Sequence, residues 1–365
     1  MNEQLDTNVV QTKAKLEIDN LQVIKEIGKG GFSKVLLVRD RESKKEYALK
    51  LLKKEKFDST RILTEINAHK IINNYPNSVK CYKVGLHNKE LYILFDYAKQ
   101  GSLYKHVKEN DVLNQEQIFK LLENVLDQML FARSNNLFHC DITVYNTVLF
   151  KDQFSLIDWG LAKSDFIVTD LKGHRTYLAP EVYSGKRSFA SEIYSLGAVL
   201  YFASTGKPLF DIYGRDIPFE QKVFKHLYYK PEFDDSVSEK TKYLIFRMLE
   251  KDFNKRATVQ EIQEIIQDGF IVPEYTYPHD EEASNYNLDD SFSLYKKMAD
   301  DGVSHAQYRM GRFYEKGKNV EQNSRLANFW YSKSISTGYV VSLNKVLRKL
   351  NKLNIEILKE SKESN

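Results

Sequence analysis

His139-Cys140-Asp141-Ile142-Thr143-Val144-Tyr145-Asn146 and, further along, Leu156-Ile157-Asp158-Trp159-Gly160 decide how this chain is read. The first run sets an Asp five residues ahead of an Asn, and a second Asp follows twelve residues behind that Asn. A loop carboxylate can take a proton from a hydroxyl. An amide oxygen and a second carboxylate are the hard oxygen ligands that suit magnesium on a polyphosphate. Any one of these residues alone reads as a capped turn; the ordered set points to phosphoryl-transfer chemistry.

Upstream, Gly28-Lys29-Gly30-Gly31-Phe32-Ser33-Lys34-Val35 lies between two strand-like stretches. Glycines let a backbone approach phosphates closely and offer it their N–H groups, although such a turn alone is equally an ordinary hairpin. Lys50, in Tyr47-Ala48-Leu49-Lys50, comes fifteen residues after Val35. Alone it is a surface lysine, as Glu65 alone is a surface charge on a helical pattern running from Asp58 to Asn73. Phe95-Asp96-Tyr97-Ala98 closes a strand pattern. Downstream stand Ala179-Pro180-Glu181 and, in Asn254-Lys255-Arg256-Ala257-Thr258, a lone arginine.

In this order and spacing the runs resemble the eukaryotic-type protein kinase family, from about Leu21 to about Phe270. The resemblance implies an α+β, bilobal fold, with a β-rich N-lobe and a helical C-lobe. It also implies ATP and Mg2+ as cofactors. Ile27, Gly28, Lys29, Gly30, Gly31, Phe32, Ser33, Lys34 and Val35 match the nucleotide loop, with Ser33 where the third glycine usually falls. Val35 and Ala48 would hold one face of the adenine, Val148 the other, and the backbone of Asp96 and Ala98 its edge. Lys50 would grip the phosphates, oriented by Glu65. Asp141 would take the acceptor's proton, Asn146 and Asp158 would hold the metal, and His139 would brace the loop. Lys50, Asp141, Asn146 and Asp158 are thus the expected catalytic set. A Glu181–Arg256 pair would pin a platform for a protein substrate. Small-molecule kinases that share the Asp…Asn loop lack that platform, which disfavours a small-molecule acceptor.

Four positions depart from the family pattern. Cys140 replaces the arginine that normally receives an activation-loop phosphate, so activity is expected without phosphorylation of Ser164, Thr169 or Thr176. Thr143 stands where serine/threonine kinases keep a lysine, and Tyr145 where tyrosine kinases place a basic residue. His174 replaces a threonine, so Thr143 and His174 read as a joint replacement in which His174 or Arg175 restores positive charge. Glu192 stands in for the aspartate that holds the catalytic loop, and its extra methylene could slow the enzyme. Trp159 replaces the usual phenylalanine of the metal turn. The loss of basic residues around the phosphate also admits an alternative, a pseudokinase scaffold.

Residues 1–20 read as a flexible tail, 21–270 as the kinase domain and 271–290, with two prolines and an acidic run, as a linker. Ser293–Gly302 aligns with Phe329–Gly338 at an offset of 36, with Ala306, Gly311, Gly317 and Ala327 between them. A period in the mid-thirties with small residues signals stacked helix pairs. Residues 291–352 resemble the Sel-one-like repeat, a relative of the tetratricopeptide repeat, and 353–365 read as a polar tail. Only about one and a half units are present, whereas about three are needed to stand alone, so the segment is expected to pack on the kinase or on a protein partner.

Lys plus Arg is 54 against 50 Asp plus Glu, a net charge of +4, with no clustering that argues for nucleic acid or a membrane surface. The N-terminus carries no apolar signal core, and no apolar run is long enough to span a bilayer. Two cysteines, Cys81 and Cys140, build neither a disulfide framework nor a zinc site. The expected location is cytoplasmic.

Overall fold

The computed structural model describes residues 18–30, 33–52, 59–87, 90–164, 173–211 and 217–348. Gly31, Phe32, Thr169 and most of the two expected tails lie outside these residues. The chain divides into two compact units, residues 1–165 with 202–206 and residues 166–201 with 207–365.

The first unit opens with β1 (Leu21–Lys29), β2 (Ser33–Asp40) and β3 (Glu46–Leu52), then α1 (Ser59–Ile72), β4 (Cys81–His87) and β5 (Glu90–Asp96). The strands form one antiparallel sheet in the order β1-β2-β3-β5-β4. Asp40 makes the turn between β2 and β3: its Oδ1 accepts the Ser43 N–H at 2.6 Å and hydroxyl at 2.7 Å. The register sets Val35 opposite Lys50 and Ala48 opposite Phe95. One face packs Leu52, Cys81 and Ile93 against Ile62 and Ile66 of α1, which holds the helix beside β3.

α2 (Leu103–Glu109) and α3 (Gln115–Ser134) follow. α3 starts in a capping box, the Gln117 N–H on Asn114 Oδ1 at 2.9 Å and the Asn114 N–H on Gln117 Oε1 at 3.0 Å. Its apolar stripe, Ile118, Leu121, Leu122, Val125, Leu126 and Met129, is buried, each large side chain contributing about 1.5–3 kcal/mol. The same helix steadies the hairpin of β6 (Thr147–Phe150) and β7 (Gln153–Leu156), where Gln128 Oε1 accepts the Leu156 N–H at 2.8 Å and Asn124 Oδ1 the Phe154 N–H at 3.0 Å. This hairpin joins the two loops quoted at the outset.

The second unit takes residues up to Tyr201 of α4 (Phe189–Thr205), then α5 (Phe219–Tyr228), α6 (Glu239–Met248) and α7 (Val259–Ile266). Residues 271–290 are laid along these helices by tyrosines. Tyr277, 1% exposed, donates to the Leu249 carbonyl at 2.6 Å, and Tyr275 donates to Glu250 at 3.1 Å. α8 (Ser291–Asp300), α9 (Ser304–Lys316) and α10 (Ser324–Ser336) come next, with a further helical stretch over 340–348. At the α9–α10 crossing, a Cβ on Gly311 would fall 2.6 Å from the Tyr331 ring, so only glycine permits this approach. The repeat sits on the rest of its unit: α8 packs on α5, Ser304 donates to the Ser184 carbonyl at 3.4 Å, and Tyr339 lies 3.6 Å from the Cβ position of Gly185. No helix among the described residues is long and apolar enough to cross a membrane.

Candidate active site

The first unit gathers Lys50, Glu65, Asp141, Asn146 and Asp158. Lys50 leaves β3 toward α1 and meets both Glu65 oxygens, at 2.6 and 2.8 Å. Its ammonium also lies 3.1 Å from Asp158 Oδ1. Lys50 and Glu65 are nearly fully buried. Burial opposes the charge on Lys50, but Glu65 and Asp158 outweigh it and hold the ammonium above its ordinary pKa. Burial would likewise raise Asp158, but Lys50 and Arg61 hold its carboxyl well below the usual range.

Arg61 was not singled out in the sequence. It lies one helical turn before Glu65 on the same face of α1, and its Nη2 is 3.4 Å from Asp158 Oδ2. The i, i+4 relation to Glu65 was the available signal, but it does not say what lies opposite. A Cβ on Gly160 would fall 2.8 Å from Arg61 Nε, so the glycine of the Asp158–Gly160 turn clears the arginine's path. Asp158 itself adopts left-handed backbone, φ 59° and ψ 69°, a strained state for a carboxylate residue that persists only where its surroundings impose it.

The catalytic loop is tied by its own polar groups. The Asn146 Nδ2 donates to the Asp141 carbonyl and to Asp141 Oδ2, both at 2.9 Å. With both amide hydrogens so directed, Asn146 Oδ1 is the atom left to meet a cation. His139 Nδ1 accepts the Asp141 N–H at 3.2 Å, which leaves Nε2–H to donate to the Ile157 carbonyl at 3.0 Å. Ile157 in turn donates to the Asn146 carbonyl at 2.8 Å. One imidazole thus bridges the two loops, with its ring 4.5 Å from that of the fully buried Trp159. Another imidazole, His69, is buried against Phe95 at 5.0 Å; burial above all, then Lys50, depresses it to about 3 and keeps it neutral.

Two of the expected adenine contacts, Val148 and Ala98, share one cluster of the same unit. Val148 is buried in a cluster with Val79 and Phe150, against which Phe95, Ala98 and Ile157 pack. The Asp96 carboxylate is turned away, accepting the Tyr82 hydroxyl at 2.7 Å, and its N–H goes to the Lys80 carbonyl at 3.0 Å. Gly28 pairs with Val35, and the Gly30 N–H closes the loop on the Ser33 carbonyl at 2.8 Å. Ile27 is 37% exposed on β1. Gly31 and Phe32 lie outside the described residues.

No group of three or more His, Cys, Asp or Glu among the described residues could cage a metal unaided. One carboxylate and one amide oxygen suit a magnesium that takes its remaining ligands from phosphate and water.

In the second unit Glu181 and Arg256 form a bidentate pair at 2.7 and 2.9 Å, with side chains 5% and 0% exposed. Ser191 donates to Glu181 at 2.7 Å, and Arg256 also donates to the carbonyls of Ala190 and Glu250 at 2.8 and 2.9 Å. Every strong partner of both ions is therefore supplied inside the fold.

A family model described as the protein kinase domain matches residues 21–271, and a Sel1 repeat model matches 304–339. The chain is a member of the protein kinase family. The kinase is 30% identical over 259 residues to serine/threonine-protein kinase SIK2 of Gallus gallus and, over an equal length, to serine/threonine-protein kinase SIK1 of Rattus norvegicus. It is 29% identical over 249 residues to calcium-dependent protein kinase 6 of Plasmodium berghei (strain Anka). The matches cover 68%, 68% and 63% of this chain, but only 32%, 33% and 16% of those relatives.

The departures from the family pattern have structural uses in this kinase. Thr143 is 2% exposed, and its Oγ1 accepts the N–H groups of Tyr145 at 3.3 Å and Asn146 at 3.1 Å. Where the family keeps a cation, this loop keeps an internal hydroxyl turn. Cys140 is buried at φ 64°, its thiol directed to the Phe138 carbonyl at 3.6 Å. Of the expected dispensable sites, Thr176 is 1% exposed and Ser164 is exposed.

Proposed function

We propose that this kinase transfers the γ-phosphate of ATP, with magnesium, to a protein hydroxyl, serine or threonine in preference to tyrosine. The observation that carries the reading is the convergence of Lys50, Asp158, Asn146 and Asp141 within one unit. Magnesium bound there would neutralise charge on the phosphates. Val35, Ala48 and Val148 bind the purine faces, while the Asp96 carbonyl and the Ala98 N–H meet its edge. Lys50, held by Glu65, directs its ammonium at the phosphates. The nucleotide loop, of which Ile27–Gly30 and Ser33–Val35 are described residues, would cover them. Asn146 Oδ1 and the Asp158 carboxylate are the protein ligands for the metal.

Asp141 orients the acceptor hydroxyl and takes its proton. The names of the relatives support serine or threonine as acceptor, as does Tyr145, uncharged where tyrosine kinases carry a cation. The buried Glu181–Arg256 pair supports a protein substrate. Both cysteines are buried and neither is in a disulfide, in keeping with a reducing compartment, and we place the protein in the cytoplasm. Asp141→Asn tests the mechanism: with labelled ATP and a protein acceptor, the rate should fall by about 10²–10⁴-fold. Equal label in wild type and variant, or none in either, overturns it.

Thr143 favours a second reading, because its inward turn leaves no cation at that loop position. In that reading the domain is a scaffold and its repeat recruits partners. Label transferred by wild type and lost in Asp141→Asn excludes it.

A further inference from the structure

The repeat and the segment around Glu181 share an aromatic seam. Arg175, exposed beside that segment, lies with its guanidinium 4.4 Å over the ring of Phe219, the first residue of α5. Phe219 meets the His305 ring edge-on at 5.0 Å. His305, on the first turn of α9, lies 6.1 Å from Tyr295 of α8, and Arg309 covers Tyr295 at 5.0 Å. The order in space is Arg175, Phe219, His305, Tyr295, Arg309.

Each guanidinium is held by a ring face, and neither has a carboxylate partner among the described residues. Arg309 Nε is buried without a hydrogen-bond acceptor. The His305 Nδ1 pairs with the Tyr339 hydroxyl at 2.9 Å, while its Nε2 is buried and unbonded. Burial, with Arg309 and Arg175 next, depresses this imidazole to about 3 and keeps it neutral. Both arginines therefore act on one point. Lys222 of α5 feels the same charge, its pKa lowered by burial and then by Arg175. The acid at hand is Glu220, which accepts the Tyr295 hydroxyl at 3.5 Å. A stacked guanidinium is pre-ordered for anions: its face is occupied, and its N–H edge makes paired bonds to a carboxylate. An incoming carboxylate that meets such an edge forms paired, charge-assisted bonds that no carboxylate of the described residues makes with either arginine.

We propose that Arg175 and Arg309 form a docking site for an acidic segment of the protein substrate, so that the repeat shares in substrate selection. This rests on the kinase reading and extends it: carboxylates of the substrate are read jointly by Arg175 and by Arg309 of α9. The repeat, packed on its unit through α8 and Ser304, thereby gains a use beside the kinase domain.

The test is fluorescence anisotropy with the full chain and no nucleotide, so that it does not depend on turnover. The probes are a labelled peptide rich in Asp and Glu and the same peptide with Asn and Gln in their place. The acidic peptide should bind the more tightly. Arg309→Gln and Arg175→Gln should each weaken it about tenfold, as expected for loss of one charge-assisted contact. Arg309→Lys should lose an intermediate amount, and Lys333→Gln, on α10, should lose nothing. In peptide phosphorylation, Arg309→Gln should raise KM for the acidic peptide about tenfold more than for the neutral one. Equal binding of the two peptides overturns the proposal, as does unchanged binding in Arg309→Gln with its melting temperature preserved. So does an equal loss in Lys333→Gln. A chain that transfers no phosphate yet binds as described would defeat the enzymatic reading and leave the docking site standing.

Discussion

Lys50 and Glu65 each owe their buried charge to the other. Removing one partner of such a pair leaves the other uncompensated, at a cost of about 3–5 kcal/mol, whereas replacing both with apolar groups of similar volume is close to neutral. Lys50→Met should accordingly lower stability by that order, and Lys50→Met/Glu65→Leu should recover most of it. Neither variant should recover phosphoryl transfer, because the ammonium is gone from both. Chemical denaturation beside a labelled-ATP assay separates the two effects; a double variant no more stable than the single one would show that the pair is not a mutual charge balance. Asp158 differs in kind. It has two cations, Lys50 and Arg61, and is more exposed than Glu65. The Lys50–Glu65 contact was expected from spacing and family pattern. The Arg61 contact was not, since one turn of helix brings Arg61 to the same face as Glu65 without indicating that the metal turn lies across from it.

Strands and helices carried most of the readable signal. α3 starts at Asn114 in a complete capping box, because a short polar side chain before an apolar period solves a local hydrogen-bonding problem. The expected helix from Asp58 to Asn73 appears as α1, Ser59–Ile72. The expectation of small residues at helix crossings is met at Gly311, where α9 passes the Tyr331 ring. Gly311→Ala gains helix propensity of about 1 kcal/mol but forces a methyl into that ring, and overpacking costs about 1–3 kcal/mol. The net outcome should be a loss of stability. Tyr331→Leu should relieve part of it in the double variant. Thermal melting of the full chain measures both, and a Gly311→Ala protein as stable as wild type would mean that the helices can part freely.

Three imidazoles, His69, His226 and His305, are buried and held neutral, each depressed to about 3, with burial the leading cause. The neighbouring charges are Lys50 and Asp158 at His69; Lys251 and Lys222 at His226; Arg309 and Arg175 at His305. In the unfolded chain a histidine titrates near 6.5. As pH falls below about 6.5, the unfolded state takes up protons that the folded state refuses until about 3. Stability is therefore full at neutral pH and declines across that interval, each group contributing a slope of up to about 1.4 kcal/mol per pH unit. His69→Leu, which puts an apolar side chain against Phe95, should narrow the gap between the apparent Tm at pH 7.5 and at pH 5. A gap as wide as in wild type would place the acid sensitivity elsewhere.

By itself the sequence determined the order of chemical groups, the strand-rich and helical stretches, and the repeat, because these depend on residue type and on spacing along a locally stiff backbone. Tertiary structure alone decided which distant groups meet. It set Arg61 on Asp158, laid 271–290 down through Tyr275 and Tyr277, and brought α9 to Phe219. Those contacts join residues far apart in sequence. They follow from which faces of packed helices come to oppose each other, a result of burying apolar surface that no local pattern records.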